Sequence, residues 1–320
     1  MAAMSSLESE RFHYRHSGVR ICSDIRLPEW SAFADDEQGA SGVDIRIILA
    51  PDAGSAEPPP GHGTYDDGTL CFAVDSIGSW TVSGGREIAV HPHPGIGARE
   101  LRLFTLGSAW GALGYQRGWA MLHGSAVARN DTAVLFCGDA GQGKSTLAAA
   151  MTERGWKLVG DDLSRIEPGG AGHTPVIHPS SARLKLWDSA LHHLGLNSEG
   201  LERDFFRDDK YHLAVDPGQL AAQPQPLAAI FILGWDDRLT GERLRGAEAV
   251  RGLAEASMYR KEYLELMGTL AEQIVHCARI ASNVPIYRIG RPRDFKLLPN
   301  VCLQVDKMLS DIAAVRDLAE

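Results

Sequence analysis

Apolar and polar residues alternate through Val43-Asp44-Ile45-Arg46-Ile47-Ile48-Leu49, the spacing of a strand with one buried face. Short runs of the same kind at Phe12 to Arg15, Val19 to Ser23, Thr69 to Val74, Ser79 to Val82 and Glu87 to Pro92 predict further strands. Ser17-Gly18, Asp66-Asp67-Gly68 and Gly84-Gly85 supply the turns. Residues 1–10 and 36–41 are polar, and the stretch from Pro51 to Gly63 carries Pro58-Pro59-Pro60-Gly61, so all three read as loop. Residues 1–95 are therefore expected to form a small, mostly β module.

The pattern then changes period. Leu101, Phe104, Leu106, Trp110, Leu113 and Tyr115 recur at helical spacing, after Pro94-Gly95 and before Arg117-Gly118. Trp119 to Ala128 reads as a strand and Arg129 to Thr132 as a turn. If Asn130-Asp131 is a two-residue hairpin loop, Arg129 faces Thr132, Val127 faces Val134, and His123 comes opposite Gly138. Further on, Ser164 to Glu167 and Pro175 to Pro179 read as sheet extensions. Ala182 to Trp187 puts two cations on one face, Asp188 to Leu196 is a short helix, and the charged Arg203 to His212 reads as a mobile loop. Leu227 to Trp235 is a buried strand. Helices are expected at Ala247 to Tyr259, Leu264 to Ser282 and Leu298 to Leu318, and Val284 to Ile289 as an edge strand because of Pro285.

The chemistry gathers at Ala133 to Met151. An apolar strand runs into Gly138-Asp139-Ala140-Gly141-Gln142-Gly143-Lys144-Ser145, then into the helix-forming Thr146 to Met151. Two glycines around four residues, followed by Lys and Ser, is the phosphate-loop pattern. In that order the backbone amides of 138–146 can converge on a polyphosphate at a helix N-terminus. Lys144 would reach the β- and γ-phosphates, and the Ser145 hydroxyl would take a place on Mg²⁺. After Arg154-Gly155, the strand Trp156 to Gly160 ends in Asp161-Asp162. Strand, helix and strand suggest a βαβ unit whose parallel strands end on one edge, bringing both carboxylates to Lys144 and Ser145. Paired carboxylates there suit holding Mg²⁺ and accepting a proton from an attacking hydroxyl.

Composition narrows the classes. The chain has 320 residues, 44% hydrophobic, with a net charge of −9. Residues 1–95 hold 6 basic and 14 acidic residues, so almost all of the acidic surplus lies there. No basic footprint for nucleic acid is present. No apolar run approaches the roughly 20 residues of a membrane span, and residues 1–18 lack the apolar core of a signal peptide. The 5 cysteines show no C-x-x-C spacing and read as buried thiols of a reduced, cytoplasmic protein. His91 and His93 alternate at a strand end but lack a third ligand for a metal.

The block from His123-Gly124-Ser125 through Gly138 to Thr146, and on to Val159-Gly160-Asp161-Asp162, resembles the HPr serine kinase family. That resemblance implies an α/β phosphate-loop kinase core of the phosphoenolpyruvate-carboxykinase type over residues 96–320, using ATP and Mg²⁺. Carried over by position, His123 becomes the phosphate-sensing histidine, Lys144 and Ser145 the nucleotide-loop residues, and Asp161 and Asp162 the base and metal pair. Asp161 is assigned as base and Asp162, with Ser145, as metal ligand, an order that spacing alone does not distinguish. Transition-state charge needs further cations, and Arg183, Lys185, Lys210, Arg260 and Lys261 are candidates, with Arg183 and Arg260 placed first. The Gly-rich Arg-Gly run of HPr kinases is absent. The N-terminal region and Val284 to Leu298 (VPIYRIGRPRDFKLL) look more like HPr-kinase relatives encoded with peptide-modification genes, among them kinases that phosphorylate lasso-peptide precursors. The expected activity is serine phosphorylation of a peptide or small protein. The alternatives are HPr kinase/phosphorylase proper, a small-molecule kinase, and a non-catalytic nucleotide-sensing module that binds peptide. No nucleic-acid or membrane partner is expected, and homo-oligomerisation is left open.

Overall fold

The computed structural model describes residues 10–35, 42–50, 58–205 and 207–317. The polar stretches expected at 1–9 and 36–41, and the first part of the proline-rich loop, lie outside these. The chain divides into two compact units, 1–117 and 118–320.

The first unit is a seven-stranded mixed sheet. Its strands are β1 (Phe12–His16), β2 (Val19–Ser23), β3 (Ile45–Leu49), β4 (Gly63–Asp66), β5 (Thr69–Val74), β6 (Gly78–Ser83) and β7 (Glu87–Pro92), in the order β1-β2-β3-β7-β6-β5-β4. The helical pattern after residue 95 becomes α1 (Ala98–Phe104) and α2 (Trp110–Gln116), joined by a π turn. These helices belong to this unit, so the division falls after Arg117 rather than at residue 95. Side-chain anchoring explains why. Trp80 Nε1 donates to Thr105 Oγ1 at 2.9 Å, Gly85 N donates to Gln116 Oε1 at 2.8 Å, and Arg117 Nη1 donates to Gly85 O at 2.7 Å.

The second unit is built on another seven-stranded sheet. It comprises β8 (Ala120–Arg129), β9 (Thr132–Cys137), β10 (Lys157–Glu167), β11 (Val176–Ile177), β15 (Gln225–Trp235), β16 (Glu242–Leu244) and β17 (Ile286–Arg291). The order is β11-β10-β8-β9-β15-β17-β16, and β11 also pairs with β15. A three-stranded sheet carries β12 (Arg183–Trp187), β13 (Glu202–Arg203) and β14 (Lys210–Ala214). The helices are α3 (Lys144–Glu153), α4 (Asp188–His193), α5 (Gly246–Ser257), α6 (Lys261–Met267), α7 (Leu270–Asn283) and α8 (Leu298–Asp317).

The β8–β9 hairpin pairs Arg129 with Thr132 and Val127 with Val134 as expected, but the pairing ends at Ser125 and Phe136, short of the expected His123–Gly138 pair. Asn130 and Asp131 both have positive φ, 52° and 57°, as a type I′ turn requires. That hairpin decides the topology. It places β8 on one side of β9, leaving the other to β15, which runs parallel. Strand β10 then pairs antiparallel with β8. So β9 and β10 run in the same direction, as expected, but are not neighbours. Both faces of the main sheet are buried. Val134, Phe136 and Phe231 pack with Leu147, Met151 and Val301, while Leu135, Cys137 and Ile230 pack with Leu253, Cys277 and Ile280. This is why LAAIFILGW reads as an unbroken apolar run.

Three further expectations change. Strand β17 is interior, since Pro285 precedes its first residue and the short β16 forms the edge. The 264–282 helix is split between α6 and α7 by Gly268, whose φ is 70°. The charged stretch 203–212 contributes β13 and β14, so it is not simply a loop. Among the described residues no helix is long and apolar enough to cross a membrane.

Candidate functional site

The loop between β9 and α3 is shaped by its glycines. Gly138 has φ +138° and packs so tightly that a Cβ there would lie 2.7 Å from Leu233 O. Gly141 and Gly143 take φ +82° and +73°, which favours glycine. The first intrahelical bond of α3 runs from Leu147 N to Gly143 O at 2.9 Å. The amides of Lys144, Ser145 and Thr146 therefore have no carbonyl one turn earlier to bind, and they sit at the positive end of the helix. The Lys144 ammonium is buried and folds back to Gly138 O at 2.7 Å and Asp139 O at 3.1 Å. Burial pushes its pKa below the ordinary lysine value, against the opposing pull of Cys137, Asp161, Asp162 and Asp139.

Asp161 and Asp162 lie within β10, which continues to Glu167, and not at a strand end. Asp161 is buried. Its Oδ1 accepts from Ser125 Oγ at 2.5 Å and Ser145 Oγ at 2.8 Å, and its Oδ2 accepts from Lys185 N at 2.8 Å. Asp162 Oδ2 accepts from Lys185 Nζ at 2.5 Å. Asp162 Oδ1 lies 3.2 Å from His123 Nδ1, without the alignment of a hydrogen bond. In an unbroken pleat neighbouring side chains point to opposite faces. Here both carboxylates meet the same residue, Lys185. Asp162 has φ 85°, a left-handed value inside continuous strand pairing, since the register shift of β10 lies earlier, between Leu158 and Gly160. Such a conformation costs a non-glycine residue on the order of 1–3 kcal/mol and clusters at functional sites.

Charge follows from this packing. Burial works against the Asp162 charge, but Lys185 and His123 together outweigh it and hold the carboxyl well below the usual carboxylate range. Burial likewise disfavours the Lys185 ammonium, and the Asp162 charge reverses that and raises its pKa. Lys210, on the strand beside Lys185, is pushed down by burial and by repulsion from Lys185.

The structure thus brings together Lys144, Ser145, Asp161, Asp162 and His123, with His123 also stacked on Tyr259 at 5.7 Å. Arg183 lies two residues from Lys185 on β12, but its Nη1 pairs with Glu202 Oε2 at 3.0 Å. Arg260 is exposed, 5.7 Å from the Tyr259 ring and 3.5 Å from Glu262. Lys261 pairs along its helix with Glu265 at 3.2 Å. Sequence reasoning placed Lys185 behind Arg183 and gave Ser125 no role. Their positions depend on β12 and β8 both approaching β10, which no local pattern encodes. Arg291 was missed as well. It is buried, and its guanidinium donates through Nη2 to Gln142 O in the loop.

The donors suit a magnesium nucleotide. Ser145 Oγ and Asp161 Oδ1 are hard oxygens 2.8 Å apart, the donor type Mg²⁺ takes alongside substrate phosphates. Among the described residues no group of three or more His, Cys, Asp or Glu could hold a metal by itself. The buried Gln142 Oε1 and Arg291 Nη1, which border the loop, lack hydrogen-bond partners.

No family model matches this chain, and no curated protein does. Among solved structures, the HPr(Ser) kinase/phosphatase from Coxiella burnetii aligns over 62% of this chain and 98% of its own, at 11% identity and a TM-score of 0.33. At that score the two backbones differ too much for the alignment to fix either fold or activity.

Proposed function

We propose that the second unit is a phosphate-loop kinase of the HPr-kinase type that moves a phosphoryl group from Mg·ATP to a serine hydroxyl on a peptide or small protein. The acceptor we favour is a ribosomally made precursor peptide of the lasso type. One observation carries the reading. The Ser145 hydroxyl of a glycine loop donates to Asp161 at 2.8 Å, and the next residue, Asp162, is strained, ionised and held by Lys185 and His123.

This geometry favours the reverse of the order first assigned to the aspartates. Asp161, joined to Ser145, suits the metal side. Asp162, beyond it, suits the acceptor. Bound there, Mg·ATP would supply the transferable phosphoryl group, with the metal neutralising charge on its oxygens. The amides of 141–146 and Lys144 would hold the phosphates. Asp162 would accept a hydrogen bond from the serine hydroxyl, orient it, and take its proton as the new O–P bond forms and the bond from the γ-phosphorus to the bridging oxygen breaks, the electron pair leaving with ADP. A low pKa suits this, because a loose phosphoryl-transfer transition state asks little of the base until late. Lys185 would add positive charge near the transferred group, and His123 would offer a hydrogen bond there.

The test is phosphate transfer from ATP to serine-containing peptides, with the product located by mass spectrometry. Lys144→Ala is expected to cut the rate by about 10²–10³-fold, the scale of losing one preorganised charge stabiliser. Undiminished transfer by that variant ends the reading.

A further inference from the structure

Beside the phosphate loop lies a cavity of about 350 Å³ whose lining includes Gly141, Gly143, Trp187, Trp235, Arg291 and Phe295. Its position follows from the sheet. Strands β9, β15 and β17 are parallel, so their carboxyl ends reach the same edge, where open α/β sheets bind ligands. Trp235 and Arg291 are register partners at the ends of β15 and β17. The Arg291 guanidinium lies 4.7 Å from the Trp235 ring centre.

Two features of this cavity are unexplained by folding. Trp235 and Phe295 remain 39% and 40% exposed beside a polar loop, although Arg291 and Arg293 lie over the Trp235 ring and His193 stacks on Phe295 at 5.0 Å. Arg291 is only 6% exposed, yet its Nη1 has no hydrogen-bond partner, and among the described residues no carboxylate pairs with it. Burial pushes its guanidinium down to about 10. A buried cation that meets one carbonyl and one aromatic ring but no carboxylate stays costly unless something anionic or strongly polar completes it. A ligand that suits the whole site is flat and aromatic at one end and polyanionic at the other.

We infer that this cavity is the base-binding half of a purine nucleoside triphosphate site, with the base stacked against Trp187, Trp235 and Phe295 and Arg291 Nη1 donating to a ribose or phosphate oxygen. This rests on the phosphate-loop reading above. Recognition is by stacking, which tolerates different base edges but favours the larger rings. The site therefore takes ATP and GTP with similar affinity and UTP more weakly.

Calorimetric titration of the full chain with the magnesium complexes of ATP, GTP, UTP and inorganic tripolyphosphate separates the two readings. ATP and GTP should bind about tenfold tighter than tripolyphosphate, the scale of one base–aromatic stack, with UTP between. Trp235→Ala and Trp187→Ala should bring ATP down to the tripolyphosphate level. Their tripolyphosphate affinity should stay at the wild-type value, which also shows that the loop is folded. Equal affinity of the wild type for ATP and tripolyphosphate overturns the inference and leaves the phosphate site standing. So does an ATP advantage that survives both tryptophan variants. Failure of the wild type to bind any of the four overturns both.

Discussion

Between Gly138 and Ser145 the site is made almost entirely of backbone, whereas around Asp161, Asp162 and Lys185 it is made mostly of side chains, drawn from three strands and the first turn of α3. The first region depends on what is missing: a Cβ at Gly138, and carbonyl partners for the amides opening α3. The second depends on what is added: four donors converging on two carboxylates, plus a histidine 3.2 Å from one of them. One can be damaged by adding atoms and the other by removing charge. The two should therefore fail differently.

The largest effect is expected at the carboxylates. Asp162→Asn keeps a side chain tolerant of left-handed φ but removes the charge that would receive the acceptor proton. It should lower kcat by about 10²–10⁴-fold, as expected for loss of a general base, while nucleotide affinity changes little. A matching loss of affinity would place Asp162 on the nucleotide side and overturn the division of labour drawn here.

Glycine substitutions probe the other region. Gly138→Ala forces a Cβ to within 2.7 Å of a backbone carbonyl at φ +138°, and should destabilise by about 2–3 kcal/mol. Gly141→Ala meets nothing within 4 Å and carries only the left-handed penalty, about 1 kcal/mol. Urea midpoints for the two variants check the ranking. Equal losses would mean that strain alone, and not packing against β15, shapes the loop.

A smaller effect separates charge from packing in the second region. Lys185→Ala leaves Asp162 without its closest partner. The two side chains are 25% and 27% exposed, between a surface and a buried pair, so the loss should be about 1–2 kcal/mol.

The smallest effect is in pH. Asp162 has a folded pKa below its unfolded value, so its contribution is complete above about pH 3.9 and fades as pH falls towards the folded value. Lys185 has a raised folded pKa, so its contribution is complete below about pH 10.4 and fades above. The stability gap between wild type and Asp162→Asn should stay flat from about pH 8 to 9, above the range in which a histidine partner changes charge, and should narrow in strong acid. A gap that persists undiminished in strong acid would mean the variant's loss is not electrostatic.

The sequence by itself determined whatever depends on neighbours along the chain. Glycine spacing, a helix-forming run and a two-residue turn dictate local dihedrals, so the strand, loop and helix at 132–153 and the β8–β9 register could be read directly. Lys144 and Ser145 belong to that same local stretch, whereas the approach of Asp161 to Ser145 depends on how β10 pairs. Tertiary structure alone decided which strand lies beside which. It put β8 between β9 and β10, extended β10 past its aspartates, and gave Asp162 a left-handed φ no periodicity announces. It also chose Lys185 over Arg183 as the partner of Asp162, and brought Arg291 to a loop 149 residues earlier. Local sequence fixes dihedral preferences, whereas long-range pairing is selected by which arrangement buries both faces of the sheet and satisfies the charges left between them.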